Sequence, residues 1–295
     1  MKNAAVFGLI LIILAVFAGC GNKTPEPVLE AVTQEKEDTF SCMFDGVKHR
    51  FVLELPDVTE NAPLVLMLPG YGNNAEAFRL QTSFDKDACP LGYAVVYVTG
   101  ARDPNSPGSS LGWNYEGNPE GNSDVEFLTA LARYLQEEYS LDKTRQYAVG
   151  FSNGAFMIHR LAMEAQDTFS AFVSVAGFMP ESVWKERRES NSAGFFQITG
   201  EKDNAVPKKS DGSADFSRAP AIEDVMEYWA GSNGLQQSET SEIGNGSLLT
   251  KYRNEGKTQQ VWSLTVSDGR HSWPDSFNNI DTNALILEFL ETQQR

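Results

Sequence analysis

Short runs dominated by apolar residues return along this chain with room for a helix between most of them. They are "APLVLML" (62–68), "YAVVYV" (93–98), "RQYAVG" (145–150), "AFVSVAG" (171–177), "GFFQITG" (194–200) and "QQVWSLTV" (259–266). The first two are apolar throughout. A strand of that kind has no face to offer water and must be covered on both sides. The intervening stretches supply the covers. "SDVEFLTALARYLQEEY" (123–139) sets Val125, Leu128, Leu131, Ala132 and Leu135 on one helical stripe, behind Ser123 or Asp124 as cap. "NGAFMIHRLAMEA", "APAIEDVMEYWAG" and "NALILEFLE" read as later helices, and "MFDGVKHRFVLEL" (43–55) as a strand with one wet face. This rhythm predicts an α/β fold with a mostly parallel central sheet and helices on both faces.

With 295 residues, 41% of them hydrophobic, and no internal repeat, residues 40–295 are expected to form one catalytic-size domain. A formal charge of −16 argues against nucleic acid as a partner, because phosphate-backbone binders carry the opposite balance. The start, "MKNAAVFGLILIILAVFAGC", reads as a targeting segment. Its apolar run from Ala4 to Ala18 is shorter than the about 20 residues needed to span a bilayer. It ends in Phe17-Ala18-Gly19-Cys20, similar to a bacterial lipoprotein box, which implies a signal peptide at 1–19 and lipidation of Cys20. The expected product is an exported lipoprotein, membrane-anchored at the periplasmic or cell-surface side. Removing Lys2 with the signal makes the net charge −17. Residues 20–39, rich in Glu, Thr and Pro, read as a flexible acidic tether. Cys42 and Cys89 then remain. In an exported chain they either form a disulfide or stay as two buried thiols.

At 150–154 the sequence Gly-Phe-Ser-Asn-Gly joins a predicted strand to a predicted helix. In that setting Gly-x-Ser-x-Gly is a nucleophile elbow: a tight turn between strand and helix that lifts the Ser152 hydroxyl clear of the backbone. The helix N-terminus behind it favours developing negative charge. Gly70-x-Gly72 in "LPGYGNNAEAF" also follows a strand. The third glycine of a dinucleotide fingerprint is Ala75 here, so no nucleotide cofactor is expected. Scattered histidines and cysteines without ligand spacing point to no metal.

A serine hydroxyl needs a base. His159 lies seven residues along the helix that Ser152 opens, roughly 10 Å away along its axis, too far to reach. His49 sits in the first strand, taken as an edge strand, with a packing role. His271, in "SDGRHSWPD", follows the last strand-like run and so falls on the rim where the carboxyl ends of parallel strands gather their loops. The acid that orients the base is sought on the same rim. Asp203 stands three residues past a strand and completes the chain order Ser, Asp, His; Glu201, Asp268 and Asp275 compete with it.

As a set, "LPGYGNNAEAF", "WNYEGNPEGNSDVEFL", "YAVGFSNGAFM", "ITGEKDNAVP", "APAIEDVMEYWAGSNG" and "DGRHSWP" resemble the polyhydroxybutyrate depolymerase and feruloyl esterase group of α/β-hydrolases. The similarity runs over about residues 40–291. It implies Ser152 as nucleophile, His271 as base and Asp203 as acid. It also implies an oxyanion hole made by the backbone amides of Tyr71 and Asn153. The family's loop usually reads His-Gly where this chain has Pro69-Gly70, and the amide donor survives that change.

Trp113, Asn114 and Tyr115 fall in a long Gly/Ser/Pro-rich loop (103–122), and Trp273 follows the candidate base. Trp113 and Trp273 are therefore candidate substrate-binding aromatics, able to stack on a phenolic acyl group or a sugar. Trp229, on a helical stripe, reads as core. The expected function is a serine carboxylic-ester hydrolase that removes feruloyl or acetyl groups from plant polysaccharide, with no cofactor. A polyhydroxybutyrate depolymerase or a general short-chain esterase is the alternative within the fold. A non-catalytic surface-binding lipoprotein is the alternative outside catalysis.

Overall fold

The computed structural model describes residues 27–106, 108–188, 191–207, 219–256, 258–274 and 278–293. The signal segment 1–19, Cys20 and Asp275 lie outside the described residues.

In spatial order the main sheet runs Glu30–Gln34 (β1), Thr39–Phe44 (β2), Val47–Glu54 (β3), Ala94–Thr99 (β5), Leu64–Leu68 (β4) and Gln146–Phe151 (β8). It continues through Ala171–Val175 (β9), Gly194–Gly200 (β10), Val261–Val266 (β13), Ser247–Arg253 (β12) and Gln237–Ile243 (β11). A small hairpin pairs Ala101–Arg102 (β6) with Leu111–Gly112 (β7). From β5 to β13 every pairing is parallel. Antiparallel strands extend the sheet at both ends.

The parallel centre explains the uninterrupted apolar runs. Along β4, Leu64, Leu66 and Leu68 enter one core, while Val65 and Met67 enter the other. The first core is covered by Asp124–Tyr139 (α3), Asn153–Glu164 (α4), Glu181–Lys185 (α5) and Ile222–Ser232 (α6), which contribute Leu128, Ile158, Val183 and Trp229. The second is covered by Ala75–Thr82 (α1), Phe84–Ala88 (α2) and Thr282–Glu291 (α7), which contribute Phe78, Phe84 and Phe289. Each aliphatic or aromatic side chain so enclosed stabilises the fold by roughly 1.5–3 kcal/mol. All five stripe residues of α3 are buried.

Four local expectations change. Residues 43–55 are not one strand but the end of β2, a turn, and β3; Asp45 and Gly46 both take positive φ (48° and 74°), as a two-residue hairpin turn requires. This makes β3 interior, between β2 and β5. The ordered chain begins before residue 40, because β1 pairs with β2 inside the stretch read as tether. Most of its side chains are exposed, so backbone pairing and the half-buried Val32 against the first core hold it, and no apolar alternation announces it. Finally, of the two expected caps of α3, Ser123 occupies the N-cap position but makes no capping bond with its side chain, which donates from Oγ to Asp45 Oδ2 (2.9 Å) instead.

The candidate disulfide is not formed. Cys42 is buried in the first core and Cys89 packs against the second, so the sheet lies between the two thiols. Burial pushes both thiols up to about 12, which keeps them protonated and unreactive.

Candidate active site

At the end of β8 the chain turns sharply into α4, and Ser152 sits at the junction with φ 52° and ψ −116°. A non-glycine residue held there costs on the order of 1–3 kcal/mol, which the surroundings must over-determine. Backbone bonds from Ser152 N–H to Val175 O (3.0 Å) and from Phe156 N–H to Ser152 O (2.9 Å) hold it. The flanking glycines are required by contact. A Cβ on Gly150 would come within 3.0 Å of Gly154 O, and a Cβ on Gly154 within 3.0 Å of Leu68 O.

Asp203 follows β10 and His271 follows β13, so all three side chains rise from the carboxyl ends of parallel strands. Ser152 Oγ lies 2.8 Å from His271 Nε2, and His271 Nδ1 lies 2.9 Å from Asp203 Oδ2. Asp203 is fully buried and also accepts from Ala205 N–H (2.8 Å). With Nδ1–H donated to that carboxylate, Nε2 carries the lone pair that faces the serine hydroxyl. Two loops are stitched together to make this possible: Lys202 N–H donates to Gly269 O (2.7 Å) and Glu201 N–H to Val266 O (2.9 Å). The two rival carboxylates among the described residues are committed elsewhere. Glu201 accepts from Asp268 N–H (3.0 Å), and Asp268 pairs with Lys202 (2.5 Å).

The other two histidines pack. His159 is fully buried, its Nε2 is 3.1 Å from Ser174 Oγ, and burial lowers it to about 3. His49 stacks on Phe127 at 3.6 Å between ring centroids and is lowered by burial to about 4.

The loop carrying Tyr71 passes beside the serine, since a Cβ on Gly70 would lie 3.4 Å from Ser152 Cβ. Asn153 is the first residue of α4, so its N–H has no partner inside the helix. A cavity of about 470 Å³ opens over these groups, lined among others by Tyr71, Trp113, Tyr115, Ser152, Asn153 and Phe156. Its rim carries Asp103 and Glu116, and no Lys or Arg is among its lining residues.

The two candidate substrate-binding tryptophans fare differently from expectation. Trp273 is 9% exposed and packs edge-on against Phe78 (5.8 Å) and Phe151 (6.5 Å) in the second core; it does not line the cavity. Trp113 does line it but is 6% exposed, held by hydrogen bonds at both its backbone and indole N–H. Phe156 was missed. It lies one helical turn beyond Ser152, a spacing that places it on the same side of α4, and it joins Tyr115 (5.2 Å) and Phe178 (4.2 Å) in an aromatic wall.

Asp124 and Arg160 were missed too. The Asp124 carboxylate accepts from Asn114 N–H (2.6 Å), and Arg160 donates to Asn114 O (2.5 Å), so the two successive peptide groups that flank Asn114 in the cavity wall are each held by a buried or half-buried charged side chain. Burial pushes Asp124 up to about 7. Asn114 ties the remaining turn with its side chain, donating to Asn118 O (2.8 Å) and Asn122 O (3.0 Å).

A family model described as serine hydrolase (FSH1) matches residues 59–231, more than half of the chain. Among individual proteins, NocK of Nocardia uniformis subsp. tsuyamanensis, itself named as a candidate esterase, is 26% identical over 84% of this chain and 76% of its own length. Feruloyl esterase B of Thermothelomyces thermophilus is 27% identical over 42% of each chain. Poly(3-hydroxyalkanoate) depolymerase C of Paucimonas lemoignei is 23% identical over 72% of this chain and 56% of its own. The fold is similar to that of an acetyl xylan esterase from Aspergillus awamori, with TM-score 0.60 and 12% identity over 83% of this chain and 94% of that one.

Proposed function

This chain belongs to the FSH1 serine hydrolase family and is a carboxylic-ester hydrolase; from that premise we propose that it works through an acyl-enzyme on Ser152 and that its substrates are feruloyl or acetyl esters of plant polysaccharide. The observation that carries the catalytic assignment is the unbroken line from Ser152 Oγ to His271 Nε2 and from His271 Nδ1 to the buried Asp203. His271 takes the hydroxyl proton as Ser152 attacks the ester carbonyl, and Asp203 stabilises the imidazolium that forms. The backbone amides of Tyr71 and Asn153 hold the oxyanion. Collapse of the tetrahedral intermediate expels the alcohol, which takes its proton from His271. Water then enters, loses a proton to His271 and attacks the acyl carbonyl; the bond to Ser152 Oγ breaks, Oγ takes that proton back from His271, and the acid leaves.

The substrate assignment draws on two features of the cavity. The Tyr115 and Phe156 rings in the lining, with Phe178 packed against Phe156, suit a planar phenolic acyl group. The lining of Ser, Asn, Asp and Glu side chains suits the hydroxyls of an uncharged sugar. The feruloyl esterase B of Thermothelomyces thermophilus among the relatives lends support from outside the chain.

The test is to assay the purified protein beside Ser152→Ala on methyl ferulate, p-nitrophenyl acetate, p-nitrophenyl butyrate and polyhydroxybutyrate granules. Ser152-dependent cleavage that favours ferulate or acetate is expected. Preference for the granules would replace the polysaccharide assignment with a polyester one, and Ser152-independent cleavage would remove the mechanism. The same proposal puts the enzyme on a membrane through lipid on Cys20, and the likeness of Phe17-Ala18-Gly19-Cys20 to a lipoprotein box supports it. Incorporation of labelled palmitate that Cys20→Ser fails to abolish would contradict this.

A further inference from the structure

We propose that Trp113 is a positioning residue that sets the spacing of the oxyanion hole, an inference that rests on the reading of Tyr71 and Asn153 as the two amide donors. Those donors belong to segments far apart in the chain: the loop after β4 and the first turn of α4. Pairing of β4 with β8 and the close approach of Gly154 to Leu68 O bring the two segments side by side, and the ties beyond the strand ends set the spacing of the two amides. Trp113 grips both. Its indole N–H donates to Pro69 O (3.1 Å), two residues before Tyr71, and its backbone N–H donates to Asn153 Oδ1 (2.9 Å).

The surrounding contacts point the same way. Trp113 follows the β6–β7 hairpin, which lies on the oxyanion loop: Gly72 N–H donates to Leu111 O (2.7 Å) and Ser110 N–H to the Tyr71 hydroxyl (3.2 Å). Gly112 is pressed between the Tyr71 ring and Asn153, since its Cβ would lie 3.0 Å from Tyr71 Cδ2 and 3.2 Å from Asn153 Oδ1. A large apolar ring whose one polar atom donates and does not accept is the tryptophan indole, which suits the Pro69 carbonyl it meets. The Asn153 side chain consequently serves the neighbouring segment, while its backbone N–H is left to the reaction.

Loss of an oxyanion donor costs about 10²–10³ in kcat, and a misplacement of about 1 Å costs about 10². Releasing one of the two ties should thus lower kcat by about ten- to a hundredfold. Substrate ground-state binding should stay nearly unchanged, because the oxyanion exists only in the transition state.

The experiment uses the full chain with Trp113→Phe, which keeps the ring and removes the indole donor, and Asn153→Ala, which removes the acceptor and keeps the backbone amide. Both are compared with wild type for kcat and KM on p-nitrophenyl acetate, for thermal midpoint, and for inhibition by a trifluoromethyl ketone, whose bound hemiketal alkoxide occupies the oxyanion position. The expected result is a lower kcat with KM within about twofold, and ketone inhibition weakened in proportion to kcat/KM. A raised KM at unchanged kcat would make Trp113 a substrate-stacking residue and overturn the proposal. A lowered midpoint with kcat and ketone inhibition unchanged would make it a core anchor, with the same consequence. Should Trp113→Phe fail to fold, Asn153→Ala alone decides. Cleavage that survives Ser152→Ala overturns the catalytic reading and this inference together, whereas Ser152-dependent cleavage with wild-type kcat in both variants overturns this inference only.

Discussion

Gly150 and Gly154 lie back to back across the Ser152 turn, so close that a Cβ on the first would come within 3.0 Å of the carbonyl oxygen of the second. Gly154 meets Leu68 O on its other side at similarly short range. The serine's positive φ is thus enforced by packing of strand, turn and helix against one another. Alanine at either position meets backbone that cannot be pushed aside, and at 150 it meets the Ile158 side chain as well. Gly150→Ala and Gly154→Ala should each destabilise the protein by about 3 kcal/mol or more, at the upper end of overpacking costs. Urea unfolding beside wild type checks this, and an unchanged midpoint would refute the close approach.

Ser152 and His271 are expected to act as one unit. Ser152→Ala and His271→Ala should each lower kcat by about 10⁶, and the double variant by little more. Asp203→Asn keeps the shape but disturbs the His271 tautomer, for a loss of about 10⁴. Steady-state kinetics on p-nitrophenyl acetate measure all four variants; additive losses would mean that serine and histidine work separately.

Phe156 and Tyr115 should govern the acyl group rather than the chemistry. Removing either ring forfeits an aromatic contact worth about 0.5–1.5 kcal/mol beyond its area. Phe156→Ala and Tyr115→Ala should therefore raise KM for methyl ferulate by about tenfold, and change p-nitrophenyl acetate hydrolysis much less. Equal effects on both esters would detach the aromatic wall from acyl recognition.

Asp124, His49 and His159 should shape stability against pH in opposite senses. Burial raises Asp124 from 3.8 to about 7, so across that window the folded protein holds a proton that the unfolded chain has released, and stability falls as pH rises. Asp124→Asn removes this slope. The buried histidines fall from 6.5 to about 4 and about 3, so below 6.5 the unfolded chain takes up protons that the folded protein refuses. Their contribution is full above 6.5 and is lost as pH falls. Thermal midpoints of wild type, Asp124→Asn and His49→Phe across these windows test the two signs. The first variant should gain stability toward neutral pH, and the second should soften the acid limb.

Much of the architecture was legible in the sequence because the central strands are enclosed on both faces. "LVLML" and "AVVYV" have no alternative to burial, and α3 shows its stripe plainly. The polar strands were not legible: β1 and β11, "EAVTQ" and "QSETSEI", sit at the two edges of the sheet, held by backbone pairing with almost all side chains in water. The Asp45-Gly46 turn did carry a hairpin signal, but the alternation around it reads equally as one strand. At the site, Ser152, Asp203 and His271 could be singled out because each follows a strand-like run, and parallel topology gathers such positions on one rim. Phe156 was there to be found by helical spacing from Ser152.

The sequence by itself determined which segments must be buried, how many layers they need, and where a serine, an acid and a base could meet. Those properties follow from local periodicity and from side-chain chemistry, which each segment carries with it. Only the tertiary structure decided that Cys42 and Cys89 face opposite cores, that Trp273 belongs to packing, and that Trp113 joins Pro69 to Asn153. The last depends on how the loop around 103–122 folds back onto residues 40 or more positions away, and the others on which core each segment packs against. Contacts of that range are set by the competition of many side chains for the same space, which no single stretch of sequence records.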